Sequence, residues 1–312
     1  MAPEVQPSHP PKPGALAAQV SRAVVWNTLF VPLRLVAEVL STLVKLNLLS
    51  QAGYGLLALI SGANNGLGTA IDLGTQRALP KYIPELSRSG GPRAVLRLLT
   101  AVFAAQMAVL LVVGGGLASW LRGPYLGTLR EKILADPKLG ALDQLQLLGL
   151  LDGYGWLVIA ASIALLFLGV CYDIFMAYLN SFFKQRAWNS IALAAGLLPQ
   201  LLSVAAILLL PDQWDILGVL GATVLAPTLA VALAGWQVLR LWSELDVGAG
   251  DPGPLLPALP RGFVRYTAVS FLMTATDFVA SAGFAIYLAG DIGDVAVLTA
   301  GAALAKMALG YL

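Results

Sequence analysis

The chain is 312 residues long, 58% hydrophobic and 12% charged, with a mean hydropathy of +0.79. A soluble domain carries about 25% charged residues, so this composition excludes an ordinary water-soluble enzyme, a nucleic-acid binder and a disordered chain. Net charge is +2, from 19 Lys and Arg against 17 Asp and Glu, so the placement of the charges carries the information and their sum does not.

Residues 1–20 hold Pro3, Pro7, Pro10, Pro11 and Pro13 and little that packs. They read as a disordered cytoplasmic tail. They are not a signal peptide, because no short apolar core ends in a small-residue cleavage site. Eight hydrophobic segments follow, at about 23–46, 54–78, 94–120, 154–180, 188–210, 215–240, 263–289 and 294–312. They are far longer than the ~10-residue strands of a membrane barrel and do not alternate. The expected fold is therefore an all-α polytopic membrane protein with about eight transmembrane helices.

Lys and Arg set the orientation. The 79–93 loop and its flanks hold Arg77, Lys81, Arg88, Arg93 and Arg97. Lys184 and Arg186 follow in the 181–187 turn, and the 241–262 stretch and its flanks hold Arg240, Arg261 and Arg265. The alternate loops hold Arg122, Arg130, Lys132 and Lys138, all in the long loop 121–153, where acidic residues offset them. This asymmetry predicts a multi-pass protein of the cytoplasmic membrane with its N-terminus in the cytoplasm. Residues 242–262 are a Gly/Pro-rich cytoplasmic linker. It divides a six-helix N-terminal lobe, 21–241, from the start of a second lobe, 263–312. The segment after the linker, YTAVSFLMTATDFVASAGFAI, weakly repeats the first, WNTLFVPLRLVAEVLSTLVKL, as two-lobed transporters do. The chain ends at KMALGYL inside the eighth segment, as expected of a fragment of a longer protein.

The first segment holds the most telling polar residues. At 100° per residue, Asn27, Arg34, Glu38, Ser41 and Lys45 share an arc of roughly 60°. A charge at mid-membrane costs about 2.5–3.5 kcal/mol, so Arg34 and Glu38 together cost about 6 kcal/mol, close to what the segment's apolar side chains return. The stripe should then face protein or a water-filled cavity. Either Arg34 and Glu38 form a structural i, i+4 pair, or they line a cavity together with Lys45. A third option for Lys45 is simple snorkelling to the outer surface. In the seventh segment, Ser270, Thr274, Asp277 and Ser281 share a face of similar width, and Asp277 is its one charge. That face is either interhelical hydrogen-bond glue or the second wall of a shared pathway. In the second segment, Asn64 and Asn65 either face the cavity or bond a neighbouring helix. Asp173 and Asn180 read as structural or interfacial. Cys171 and His9, single of their kind, cannot build a zinc site or a Cys/His or Ser/His nucleophile pair, so neither a cofactor nor enzyme chemistry is expected.

The stretch LSQAGYGLLALISGANNGLGTAIDLGTQRALPKYIPEL, from Leu49 to Leu86, resembles the first helical hairpin of the multidrug/oligosaccharidyl-lipid/polysaccharide exporter superfamily, in its polysaccharide and oligosaccharide-lipid branch. The match rests on the outer turn ending Gly53-Tyr54-Gly55, on Asp72-Leu73-Gly74 at the inner end of the second segment, and on the basic exit Arg77…Lys81-Tyr82-Ile83. The resemblance implies a flippase that carries a polyprenyl-pyrophosphate-linked oligosaccharide to the outer leaflet by alternating access, for cell-surface polysaccharide biosynthesis. The partners it implies are that lipid-linked substrate, membrane lipids and other polysaccharide-assembly membrane proteins, with no nucleic acid. The headgroup would lie between the lobes, against the first, second, seventh and eighth segments. Arg34, Glu38, Lys45, Asn64, Asn65, Thr274 and Asp277 are proposed as substrate-binding from helical geometry and match no motif of that superfamily. The competing readings are a drug or cation-coupled antiporter of the same superfamily, favoured by an acidic cavity, a membrane glycosyltransferase or polymer ligase, and a membrane scaffold.

Overall fold

The computed structural model describes residues 32–33, 35–49, 51–137, 139–182, 184–211, 214–244, 259–279, 294–295 and 298–299. Every element among the described residues is helical. Helix α1 spans 35–48. It is followed by α2 (Gln51–Asp72), α3 (Thr75–Ala118), α4 (Arg122–Ala135), α5 (Ala141–Ser181), α6 (Gln185–Leu209), α7 (Asp215–Glu244) and α8 (Phe263–Val279). Four helices among the described residues are long and apolar enough to cross a membrane: Arg93–Ala118 within α3, then α5, α6 and Asp215–Ser243 within α7. Their outward faces carry Leu111, Val112, Leu201, Leu208 and Trp236, each more than half exposed, as a lipid-facing surface requires.

The observed elements depart from the sequence-based expectations in three places. The expected loop 79–93 is helical. Residues 75–90 form the first half of α3, with Ala78, Leu79, Tyr82 and Ile83 buried and Arg77, Lys81, Glu85 and Arg88 exposed. The i, i+1, i+4, i+5 spacing of the buried set is a helix period, which the charges between them hide from a hydropathy reading. The second departure is the long outer loop 121–153, which is α4 plus the first turns of α5. Leu129, Ile133, Leu147 and Leu151 bury against Leu56, Leu59 and Ile60 of α2, and Arg130 pairs with Asp152. At 1.5 Å per residue, the 41 residues of α5 extend about 61 Å, twice the ~30 Å hydrocarbon core.

The third departure concerns the second segment, expected to run unbroken from 54 to 78. It breaks at Leu73 (φ 53°) and Gly74 (φ 73°). A further reversal lies at Gly91 (φ 66°, ψ −171°) inside α3. Gln106 hydrogen-bonds Thr75, 31 residues earlier, whereas a straight helix would hold them about 46 Å apart. Helix α3 is thus a hairpin of two antiparallel helices, 75–90 and 93–118, folded at Gly91.

The main core gathers the 75–90 arm, the 93–118 span, the C-terminal half of α5, α7 and the start of α8. On α7, Ala226, Ala230 and Ala234 are fully buried. This i, i+4 row of small side chains is the kind that lets helices approach closely. Helix α6 packs chiefly on α7. Of the expected second lobe, residues 263–279 form α8. The rest of that segment lies outside the described residues, as do nearly all of 294–312, the tail 1–20 and positions 245–258 of the linker.

Candidate functional site

The break between α2 and α3 is organised by Asp72. Its Oδ1 accepts the backbone N–H of Gln76 (3.1 Å) and lies 3.0 Å from Thr75 Oγ1, satisfying one of the donors left open at a helix start. Thr75 Oγ1 also lies 2.8 Å from the Asp72 carbonyl oxygen. Gln106, 1% exposed, donates through Nε2 to Thr75 Oγ1 (2.8 Å) and to the Asp72 carbonyl oxygen (3.2 Å). That carbonyl is one of those the end of α2 leaves without a helical partner. Asp173 of α5 accepts a hydrogen bond from the Gln76 side chain.

The depth of this break follows from Gln106. It lies midway along the Arg93–Ala118 span, and it holds Asp72 and Thr75. If that span crosses a bilayer, the helix break sits near mid-depth. Interrupted backbone at such a depth is tolerated where it lines a polar cavity or is buried in protein.

A cavity of about 420 Å³ opens at this point. Its walls come from α2 (Ser61, Asn64, Asn65, Thr69, Asp72), α3 (Gln76, Gln106), α5 (Asp173), α7 (Thr223) and α8 (Thr274), among apolar neighbours. The volume is in the range of small-molecule sites. Asn64 is 8% exposed, and neither its Oδ1 nor its Nδ2 has a hydrogen-bond partner. The Oε1 of Gln106 is likewise buried and unpartnered. A buried amide left unpaired costs about 1–3 kcal/mol. Among the described lining residues there is no Lys or Arg.

The structure brings together three of the residues singled out from sequence, Asn64, Asn65 and Thr274. The described members of the first-segment stripe, Glu38, Ser41 and Lys45, are not among the lining residues. Lys45 donates to Gln200 Oε1 of α6 at 3.2 Å, and Glu38 acts electrostatically on Lys45 and on Tyr54, which shares a hydrogen bond with Thr42. Arg34 lies outside the described residues, as do Asn27 and Ser281. Asp277 does not line the cavity; its Oδ2 accepts from Arg77 Nη2 at 2.7 Å, with both side chains substantially exposed. Asp173, read from the sequence as structural or interfacial, also lines the cavity; Asp72, Gln76 and Gln106 are the site residues that the polar-stripe reading passes over. Gln106 has a signal, as a lone glutamine in AVFAAQMAVLLVV, and so has Asp173, an acid inside an apolar run.

Helix α8 closes one side of the break. A Cβ on Gly74 would lie 2.3 Å from the Thr267 carbonyl oxygen and 2.4 Å from the Phe271 nitrogen, so the two backbones touch there. Further along, Tyr82 meets Phe263 and Tyr266 edge-on at 5.3 and 6.0 Å, and Lys81 Nζ lies 4.3 Å from the Tyr266 ring centroid. The α2–α3 corner and the first helix after the linker are therefore in contact along several turns.

No family model, curated protein or solved structure matches this chain.

Proposed function

We propose that this protein is a membrane transporter whose cargo occupies the cavity at the α2–α3 break, and that it works by alternating access. One observation carries the reading: a helix interrupted at the middle of a neighbouring apolar span, beside a cavity whose walls carry Asn64, Asn65, Asp72 and Asp173. Carriers place their sites at such interruptions, where helix ends offer unpaired backbone groups. The contact of α8 with the corner adds support, because motion of one against the other would open or close that wall.

Within this reading the cargo is a polyprenyl-pyrophosphate-linked oligosaccharide, as the resemblance of Leu49–Leu86 to the exporter superfamily implies. The assay is flipping of such a lipid in proteoliposomes containing the purified full chain, read by access of an impermeant sugar-binding reagent. Transfer between leaflets that falls at least tenfold in Asn64→Leu supports the proposal. Transfer no faster than in empty liposomes overturns the choice of cargo.

A second reading is favoured by a specific feature. Asp72 and Asp173 line the cavity without a Lys or Arg among the described lining residues, the arrangement expected of a drug or cation-coupled antiporter. Uptake of a cationic dye driven by an ion gradient, with no movement of lipid-linked sugar, would select it.

A further inference from the structure

The depth of the 75–90 arm is fixed at both ends. Thr75 is tied to Gln106, midway along the Arg93–Ala118 span, and the chain reverses at Gly91. At 1.5 Å per residue, residues 75–90 rise about 24 Å and residues 93–106 about 21 Å. The two lengths agree, so the arm stands alongside the 93–106 half of the span and does not lie flat across its end. Counted from Thr75, Arg77 lies about 3 Å along the arm, Lys81 about 9 Å, Glu85 about 15 Å and Arg88 about 20 Å. The hydrocarbon core extends ~15 Å from its middle. In a bilayer, Arg77 and Lys81 therefore stand at hydrocarbon depth, Glu85 at its edge and Arg88 among the headgroups.

At 100° per residue these four side chains share an arc of roughly 80°. All four are exposed, while Ala78, Leu79, Tyr82 and Ile83 turn into the core. The charged face is thus not covered by protein, and what lies against it is either lipid or water. Charged side chains at hydrocarbon depth face protein or a water-filled space. Snorkelling to the headgroups would account for Lys81 alone. It does not account for Arg77, whose guanidinium is held by Asp277 of α8, nor for Asp277, which is 68% exposed and too short to reach the surface. The carboxylate and the guanidinium meet in the open at this level, so water is there.

We propose that the charged face of this arm, with the side of α8 that meets it at Tyr266 and Asp277, lines a water-filled vestibule that opens at the Gly91 end and reaches inward to the Arg77–Asp277 pair. Gln76, next to Arg77, and Thr274, one turn before Asp277, belong to the wall of the cavity, so the vestibule ends beside the cavity. The Lys and Arg asymmetry puts the Gly91 end in the cytoplasm, and the structure is then the state in which the cavity is approached from that side. Arg77, Lys81 and Arg88 are offset by Glu85 and Asp277, so the vestibule admits water and polar solutes without strong preference for one sign of charge. The inference rests on the helices crossing a bilayer and is independent of the cargo.

The test uses the full chain with Cys171→Ser removing the native thiol and one cysteine added, as Arg77→Cys, Lys81→Cys or the control Ala104→Cys. Ala104 is exposed, shares a helix face with Leu111 and stands two residues from Gln106, at the level of Arg77. A cysteine side chain is too short to snorkel, so its reactivity reports water at the depth of the backbone. Labelling by the membrane-impermeant trimethylammonioethyl methanethiosulfonate is timed in inside-out and in right-side-out membrane vesicles. In inside-out vesicles, Arg77→Cys and Lys81→Cys should react at least tenfold faster than Ala104→Cys and at least tenfold faster than in right-side-out vesicles. Should Arg77→Cys fail to fold for want of its ion pair, Lys81→Cys, which breaks none, carries the test. Rates no higher than that of Ala104→Cys, or labelling as fast from the outer face, overturn the proposal. Lipid flipping by the same protein separates the two readings. Flipping without cytoplasmic labelling discards the vestibule and keeps the transporter, and labelling without flipping does the reverse.

Discussion

Replacing Gly74 with alanine tests the central joint of the structure. Two costs arise, and they come from different sources. Gly74 has φ 73°, a region where a Cβ costs roughly 1–2 kcal/mol. The added methyl would also stand 2.3 and 2.4 Å from backbone atoms of Thr267 and Phe271. Backbone atoms of a packed helix cannot rotate aside, so α8 must retreat by about 1 Å to restore ordinary contact. Overpacking of that kind costs about 1–3 kcal/mol, bringing the total for Gly74→Ala to about 2–5 kcal/mol. The control is Gly91→Ala. Gly91 has φ 66° and ψ −171°, backbone that is nearly exclusive to glycine, yet nothing lies within 4 Å of the point a Cβ would occupy there, so it should show a conformational cost alone, about 1–3 kcal/mol, and no displacement of α8. Equilibrium unfolding in mixed micelles reads both, and labelling of a cysteine at Phe271 reports the displacement of α8. Unchanged α8 labelling in Gly74→Ala would show that the close approach of α8 to the corner is not as described.

Other perturbations follow from single contacts. Gln106→Leu leaves the Asp72 carbonyl and Thr75 without their shared donor and should cost about 1–3 kcal/mol in the same unfolding assay, whereas a loss well below that range would show that Gln106 does not brace the break. Tyr82→Leu removes two edge-on aromatic contacts with α8, each worth about 0.5–1.5 kcal/mol, and a double-mutant cycle with Phe263→Leu should return a coupling of that size. Asp277→Asn breaks an ion pair whose side chains are 42% and 68% exposed, so in detergent the coupling to Arg77→Gln should stay below about 1 kcal/mol; a larger value would place the pair in a desolvated setting. Ala230→Leu forces a large side chain into the fully buried row of α7 and should cost about 1–3 kcal/mol by overpacking, measured by thermal unfolding.

The helical fold is legible in the sequence because its signal is length and apolarity, and α5, α6 and α7 begin or end close to the expected 154–180, 188–210 and 215–240. Helices outside the apolar runs are not legible. The 75–90 arm buries Ala78, Leu79, Tyr82 and Ile83 yet carries Lys81 between them and Arg77 and Arg88 on either side, and a hydropathy window averages these to a loop. The α4 helix fails for the same reason: its buried set is Leu129 and Ile133 within GTLREKILA. In the cavity, Asn64, Asn65 and Thr274 are reached by asking which polar residues lie inside apolar segments. Asp72 and Gln76 escape as site residues because they belong to a break that periodicity cannot reveal, since two helices in sequence look like one. Asp72-Leu73-Gly74 is visible as a motif, but its role as a helix break depends on the left-handed backbone at Leu73 and Gly74.

Arg77 and Asp277 show how a charge changes meaning once its partner is placed. In the sequence, Arg77 belongs to the basic cluster that fixes membrane orientation, and Asp277 is the sole charge on a helix face expected to line a pathway. Their 2.7 Å contact joins residues 200 positions apart and cancels each against the other. Arg77 lies two residues after Thr75, which Gln106 ties to the middle of the Arg93–Ala118 span, so the pair stands near that level. Both side chains are substantially exposed, so the pair holds α8 to the corner only modestly, by less than about 1 kcal/mol. The same bond can persist only while α8 stays against the α2–α3 corner. Separation of α8 from the corner, as alternating access requires, would expose both charges, so each needs water or cargo to replace its partner. The ion pair thus favours the contact that the Gly74 approach and the Tyr82 ring contacts also favour, and under the proposed alternating access weakening it should favour separation of α8 from the corner without unfolding.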